Sequence, residues 1–91
     1  MSVKVQIPLP LRGPTGGLSE VEARGSNIRE VIDDLVASYP DIRERLFMGD
    51  EELNRFVSIF VQGQDVRLLE GLETTVKEGD LITILPLAAG G

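Results

Sequence analysis

The sequence contains no cysteine and no histidine. Without cysteine there is no disulfide framework, no nucleophilic thiol and no thiolate metal site. Without histidine the Ser-His and Cys-His nucleophile arrangements are excluded, along with most zinc geometries. Paired carboxylates can do acid–base work, but 91 residues leave little room for a buried cleft around them. A self-contained enzyme is therefore not expected. Long apolar runs are missing as well, and none approaches the roughly 20 residues that cross a bilayer. The opening "MSVKVQIPLP" lacks the extended apolar core of a signal peptide, so no membrane partner and a cytoplasmic location are expected.

Positive charge is in short supply. Nine basic residues face 15 acidic ones, for a net charge of −6. Such a surface repels phosphate backbones, which argues against nucleic acid as a partner. It suits a protein partner with a basic docking face, where opposite charge speeds encounter. What remains is ordinary for a folded domain, with 42% hydrophobic and 26% charged residues in a length that fits one domain. No repeat, linker or low-complexity segment interrupts it.

Val3, Val5 and Ile7 alternate with polar neighbours, the period of a half-buried strand that Pro8 and Pro10 bring to an end. The stretch "LRGPTGG" at 11–17 reads as a turn; it lacks the Lys-Ser/Thr ending of a phosphate cradle. A second strand is predicted at 18–23, giving an antiparallel hairpin. Ile28, Val31, Ile32, Leu35, Val36 and Tyr39 form one apolar helical stripe, and Pro40 lies beyond its end. Ser26 or Asn27 supplies the cap, and Asn27 with Glu30 resembles a capping box. A further short helical turn is predicted at 41–47, then a polar, acidic loop at 48–55. Its acidic residues, like Asp33-Asp34, lack calcium-loop spacing and read as solvated surface; no metal site is expected.

The strongest predicted strand is "FVSIFV" at 56–61, with Val57, Ile59 and Val61 on one face. Gln62-Gly63-Gln64-Asp65 reads as a turn, followed by a short extended piece at Val66-Arg67. A loop leads to Gly79-Asp80, and the last strand is predicted from Leu81 to Leu85. The order β-β-α-β-β-β points to an α+β fold, with one main helix packed on a small mixed sheet of four to five strands. The first and last strands are expected side by side at its centre.

The chain closes on "LITILPLAAGG". Glycine loses the most entropy on ordering, so a Gly-Gly end contributes nothing to a core. The segments "VKVQIP", "NIREVIDDL", "RFVSIFVQGQDV" and "GDLITILPLAAGG", in this order, resemble the ubiquitin-like sulfur-carrier family of the MoaD/ThiS type over essentially the whole chain. Within that family, "ILPLAAGG" is most similar to the carriers that supply sulfur for cysteine synthesis.

The resemblance implies a ubiquitin-like β-grasp domain at 1–85 and an extended tail at 86–91. It implies no bound cofactor and no catalysis by the chain itself. A ubiquitin-activating-type enzyme would use ATP to adenylate the Gly91 carboxylate, and a sulfur donor would convert it to a thiocarboxylate. A sulfhydrylase-like (cysteine synthase) enzyme would take the sulfur, and a metallopeptidase would release the product. Pro86, Leu87, Ala88, Ala89, Gly90 and Gly91 would enter the partner's active site. Gly90 and Gly91 have no Cβ, which suits the walls of a narrow site that keeps water from an acyl-adenylate.

Strand alternation predicts that Phe60, Leu85 and Leu87 form an apolar docking patch beside this tail. Two alternatives stay open. One is the small subunit of a molybdopterin synthase. The other is a ubiquitin-like protein modifier conjugated through Gly91, although with only Lys4 and Lys77 the chain is poorly equipped to form chains of itself.

Overall fold

A computed structural model describes residues 2–9, 12–13, 15–48, 52–53 and 57–86. Strand β1, Ser2–Gln6, runs antiparallel to β2, Glu20–Arg24, with Val5 opposite Val21 and Val3 opposite Ala23. These four residues and Ile7 are buried, so the period-two pattern becomes the inner face of the sheet. The predicted second strand began at Leu18, yet regular pairing starts at Glu20 and Leu18 is exposed. Thr15 accounts for the difference. Its buried hydroxyl is within hydrogen-bond distance of the carbonyls of both Arg12 and Leu18, 3.1 and 3.0 Å away, and so closes the loop on itself before the strand begins.

Helix α1, Ile28–Ser38, buries Ile28, Val31, Ile32 and Leu35 against the sheet, while Val36 and Tyr39 pack at the edge of the core. Each fully buried aliphatic side chain contributes roughly 1.5–3 kcal/mol relative to exposure. Asn27 caps the helix by accepting the Glu30 N–H at 2.8 Å. The reciprocal half of the expected capping box is displaced by one residue. The Glu30 carboxylate accepts from the Ser26 N–H and the Ser26 hydroxyl, both at 2.8 Å. The backbone bond to Ser26, then the hydroxyl bond, hold the Glu30 carboxyl below its ordinary pKa. Gly25 lets the chain pass close to this helix start, since a Cβ there would lie 2.7 Å from the Val31 nitrogen.

A 3₁₀ turn at Pro40–Ile42 and the short helix α2, Arg43–Leu46, carry Ile42 and Leu46 into the core. Phe47, expected to close the short helical turn, and Met48, expected in the polar loop, form β3, Phe47–Met48, which pairs with β4, Glu52–Leu53, within that loop. Strand β5, Val57–Val61, buries Val57, Ile59 and Val61 as predicted. Its connection differs from the expected four-residue turn. Gln62 and Gly63 both take positive φ, 50° and 83°, which joins Val61 directly to Gln64 in a two-residue hairpin. The extended piece β6 therefore falls at Gln64–Asp65, and Val66 and Arg67, predicted to be extended, lie in a 3₁₀ turn, Val66–Leu68.

The last strand, β7, is Leu81–Pro86, one residue longer than predicted. The main sheet has the order β2-β1-β7-β5-β6. Strands β1 and β7 lie side by side and parallel, and the other neighbours are antiparallel. The last strand to be made thus occupies the middle of the sheet. Ile82 and Ile84 anchor it beneath α1.

Candidate functional site

Strand β7 lies at the centre of the sheet, and the sequence dictates where its pairing with β1 ends. Lys4 stands opposite Leu81, and Gln6 opposite Thr83. The Lys4 N–H donates to the Asp80 carbonyl at 3.0 Å, which fixes the bonding alternation of this parallel pair. Continued by two residues, it brings Pro8 level with Leu85. The next two donors required would be the N–H groups of Pro8 and Pro86. Proline has none. The ladder between the two central strands therefore stops from both sides at the same level.

On the other flank, Gln62 N–H donates to the Leu81 carbonyl at 2.9 Å, and Val57 is the register partner of Pro86. Alternation along this antiparallel pair makes Val57 and Pro86 a non-hydrogen-bonded pair, with the Val57 carbonyl turned away from β7. That carbonyl lies beyond the end of the short strand β6. It accepts a bond from Arg67 Nη2 at 2.7 Å.

On the face opposite α1, one row crosses all five strands: Glu20, Gln6, Thr83, Phe60 and Asp65. Thr83 Oγ1 is 3.1 Å from Gln6 Oε1, to which it can donate. Phe60 is half-buried in this row, and Leu85, 46% exposed, follows Thr83 on the same face. The two described members of the predicted apolar patch, Phe60 and Leu85, thus share one face of the sheet. Leu9 and Leu18 are also exposed on the segments ending β1 and preceding β2. Leu87, Ala88, Ala89, Gly90 and Gly91 lie outside the described residues.

Beside Leu85 is an open depression of about 390 Å³, lined on one side by Gln6, Ile7, Pro8 and Arg12, and on the other by Thr83 and Ile84. Arg12 is half-buried there and donates from Nε to the Ile7 carbonyl at 3.1 Å. Sequence reading did not single out Arg12 or Arg67. Pro8 was legible only as a strand breaker. Among the described residues no group of three or more carboxylates could hold a metal ion. No helix among them is long and apolar enough to cross a membrane.

A five-stranded mixed sheet with parallel β1 and β7 at its centre and one main helix on one face is the ubiquitin-like β-grasp fold. The profile of the ThiS family matches residues 5–91, and the chain belongs to that family. It is similar to the sulfur carrier protein CysO of Mycobacterium tuberculosis, with 47% identity covering 100% of both chains. Its structure is similar to the CysO chain in the BexX/CysO complex of Amycolatopsis orientalis, with a TM-score of 0.89 and 46% identity over 98% of this chain and 99% of that one. The small archaeal modifier protein 1 of Methanosarcina acetivorans also matches, with a TM-score of 0.88 and 35% identity over 99% and 96% of the two chains.

Proposed function

We propose that this chain is a sulfur carrier that works as a protein co-substrate, with Gly91 as the atom-bearing end. The observation that carries this reading is the end-to-end correspondence with CysO, a protein named for that role. The geometry supports it: the sheet holds β7 at its centre, and the β1–β7 ladder has no donor at Pro8 or Pro86 to continue it. Residues 87–91 then span at most about 17 Å, enough to reach from a docked body into a recessed site.

A carboxylate is ionised at neutral pH and a poor electrophile. Attack of the Gly91 carboxylate on the α-phosphorus of ATP, in an adenylating partner, would form an acyl-adenylate and release pyrophosphate. A donor at the oxidation level of sulfide then attacks the carbonyl carbon, the bond to AMP breaks, and a thiocarboxylate remains. Its sulfur is more nucleophilic than the oxygen it replaced, yet it stays attached to protein. A sulfhydrylase-like enzyme would take it up, with cysteine synthesis the pathway that the likeness to CysO favours. A metallopeptidase would free the product from the carrier. Pro86 to Gly91 would occupy the partner's channel, with Phe60, Leu85 and Leu87 as the docking patch.

The likeness to an archaeal modifier favours a second reading, in which the activated Gly91 is joined to amines of target proteins. Incubation with ATP, sulfide and the cognate adenylating enzyme, followed by intact-mass measurement, separates the two. Exchange of one oxygen for one sulfur supports the carrier, a covalent protein adduct supports the modifier, and an unchanged mass overturns both.

A further inference from the structure

Strand β2 is an edge of the main sheet, and among the described residues no strand pairs with its outer side. Its register with β1 tells which backbone groups face outward. Gln6 stands opposite Glu20, and the Ile7 N–H donates to the Ser19 carbonyl at 2.8 Å. Bonded residues alternate along an antiparallel pair, so Ser19, Val21 and Ala23 turn their N–H and carbonyl groups toward β1. Glu20, Glu22 and Arg24 turn theirs away. At Arg24 the outward N–H is already taken, donating to Asp34 Oδ2 on α1 at 2.8 Å. At Leu18 the carbonyl lies 3.0 Å from the Thr15 hydroxyl. The edge is thus closed at both ends and open between them, where the N–H and carbonyl groups of Glu20 and Glu22 meet no described residue.

The side chains around this opening carry one sign of charge. Glu20 and Glu22 are exposed on the face opposite α1, and the half-buried Asp34 stands at the Arg24 end on the helix side. Glu22 accepts a bond from the Ser2 hydroxyl at 3.0 Å, which leaves its charge in place. Neither Glu20 nor Glu22 joins an ion pair with a described residue. We propose that residues 20–22 take up a short extended segment of a partner protein, one that carries lysine or arginine at alternate positions. The open backbone groups supply the strand addition, and the carboxylates select the strand. A basic strand gains a cross-strand pair at each alternate residue, whereas like charges directly opposite are destabilising. A second copy of this chain, with its net charge of −6, would set carboxylate against carboxylate and is disfavoured as the occupant. The site does not depend on the chemistry of Gly91, and β1 separates it from β7.

The test is an amide NMR titration of the full chain with a capped pentapeptide that alternates lysine and valine. Strand addition predicts that the Glu20 and Glu22 amides shift and that their hydrogen exchange slows about tenfold or more at saturation. The same peptide N-methylated at every lysine keeps its charge but cannot donate to the edge, and should bind about tenfold or more weakly. Glu22→Pro removes an N–H that β1 does not use, so it should abolish binding and keep the wild-type melting temperature. The double variant Glu20→Lys with Glu22→Lys leaves the backbone intact. It should lose the lysine peptide and take up the glutamate–valine analogue instead. Equal binding of the N-methylated peptide overturns the proposal, because charge alone would then account for the contact. Shifts centred elsewhere on the acidic surface, or no change at Glu20 and Glu22 at millimolar peptide, overturn it as well.

Discussion

Pro8 and Pro86 occupy the two donor positions that the β1–β7 ladder needs next beyond Gln6 and Thr83, and neither has an N–H to give. The β1–β7 ladder therefore ends on both strands at the same level. Burial of Ile82 and Ile84 fixes the strand, and the missing pair of hydrogen bonds sets where its ladder with β1 ends.

Replacing Pro86 with alanine restores a donor aimed at the Pro8 carbonyl. The residue 86 amide in Pro86→Ala should then be protected from hydrogen exchange, and the ladder one bond longer. An amide at this position that exchanges as fast as an unstructured one would refute the account of where the ladder ends.

Gly25 tests the approach of the chain to α1. A Cβ would meet the Val31 nitrogen at 2.7 Å, the Glu30 Cβ at 2.8 Å and the Glu30 carbonyl carbon at 2.9 Å, and the two backbone atoms cannot swing aside. Gly25→Ala should lose about 1–3 kcal/mol of stability by chemical denaturation. Unchanged stability would mean that the helix start is freer to shift than its packing implies.

Glu30 makes stability depend on pH. Its carboxyl pKa is lowered in the fold below the ordinary glutamate value, by the bond from the Ser26 N–H first and the Ser26 hydroxyl second. A lowered pKa contributes stability that is present above the unfolded value and lost as pH falls through the folded value. The difference in melting temperature between wild type and Glu30→Gln should therefore be largest near neutrality and shrink as pH drops below 4.5. A constant difference across that range would show that the carboxylate charge is not involved.

Phe60 lies on the outer face, half-buried between Thr83 and Asp65, with no place in the core cluster. Phe60→Ala should reduce adenylation efficiency by about tenfold or more while costing little stability, because an apolar anchor at an interface acts through its partner. Lost stability with intact adenylation would assign Phe60 to the fold instead.

Most of this architecture is legible in the residues. Alternation in β1 and the stripe of α1 state their buried faces directly, because each period maps one face onto the core. The β5–β6 hairpin is less readable. Its turn needs positive φ at Gln62 as well as Gly63, and glutamine does not announce that conformation. Thr15 and Arg12 act through carbonyls of a loop whose path no periodicity encodes. Each proline reads as a strand breaker on its own. That Pro8 and Pro86 act at one level is a matter of register between strands separated by most of the chain, and only the assembled sheet reveals it.

The central claim is that a slim carboxyl end is the reacting group and the body delivers it. The most direct measurement compares wild type with Gly91→Val by intact mass, after incubation with adenylating enzyme, ATP and sulfide. The account predicts that wild type exchanges one oxygen for sulfur, while Gly91→Val stays unmodified yet still competes with wild type for the enzyme. Conversion of Gly91→Val at the wild-type rate would contradict it.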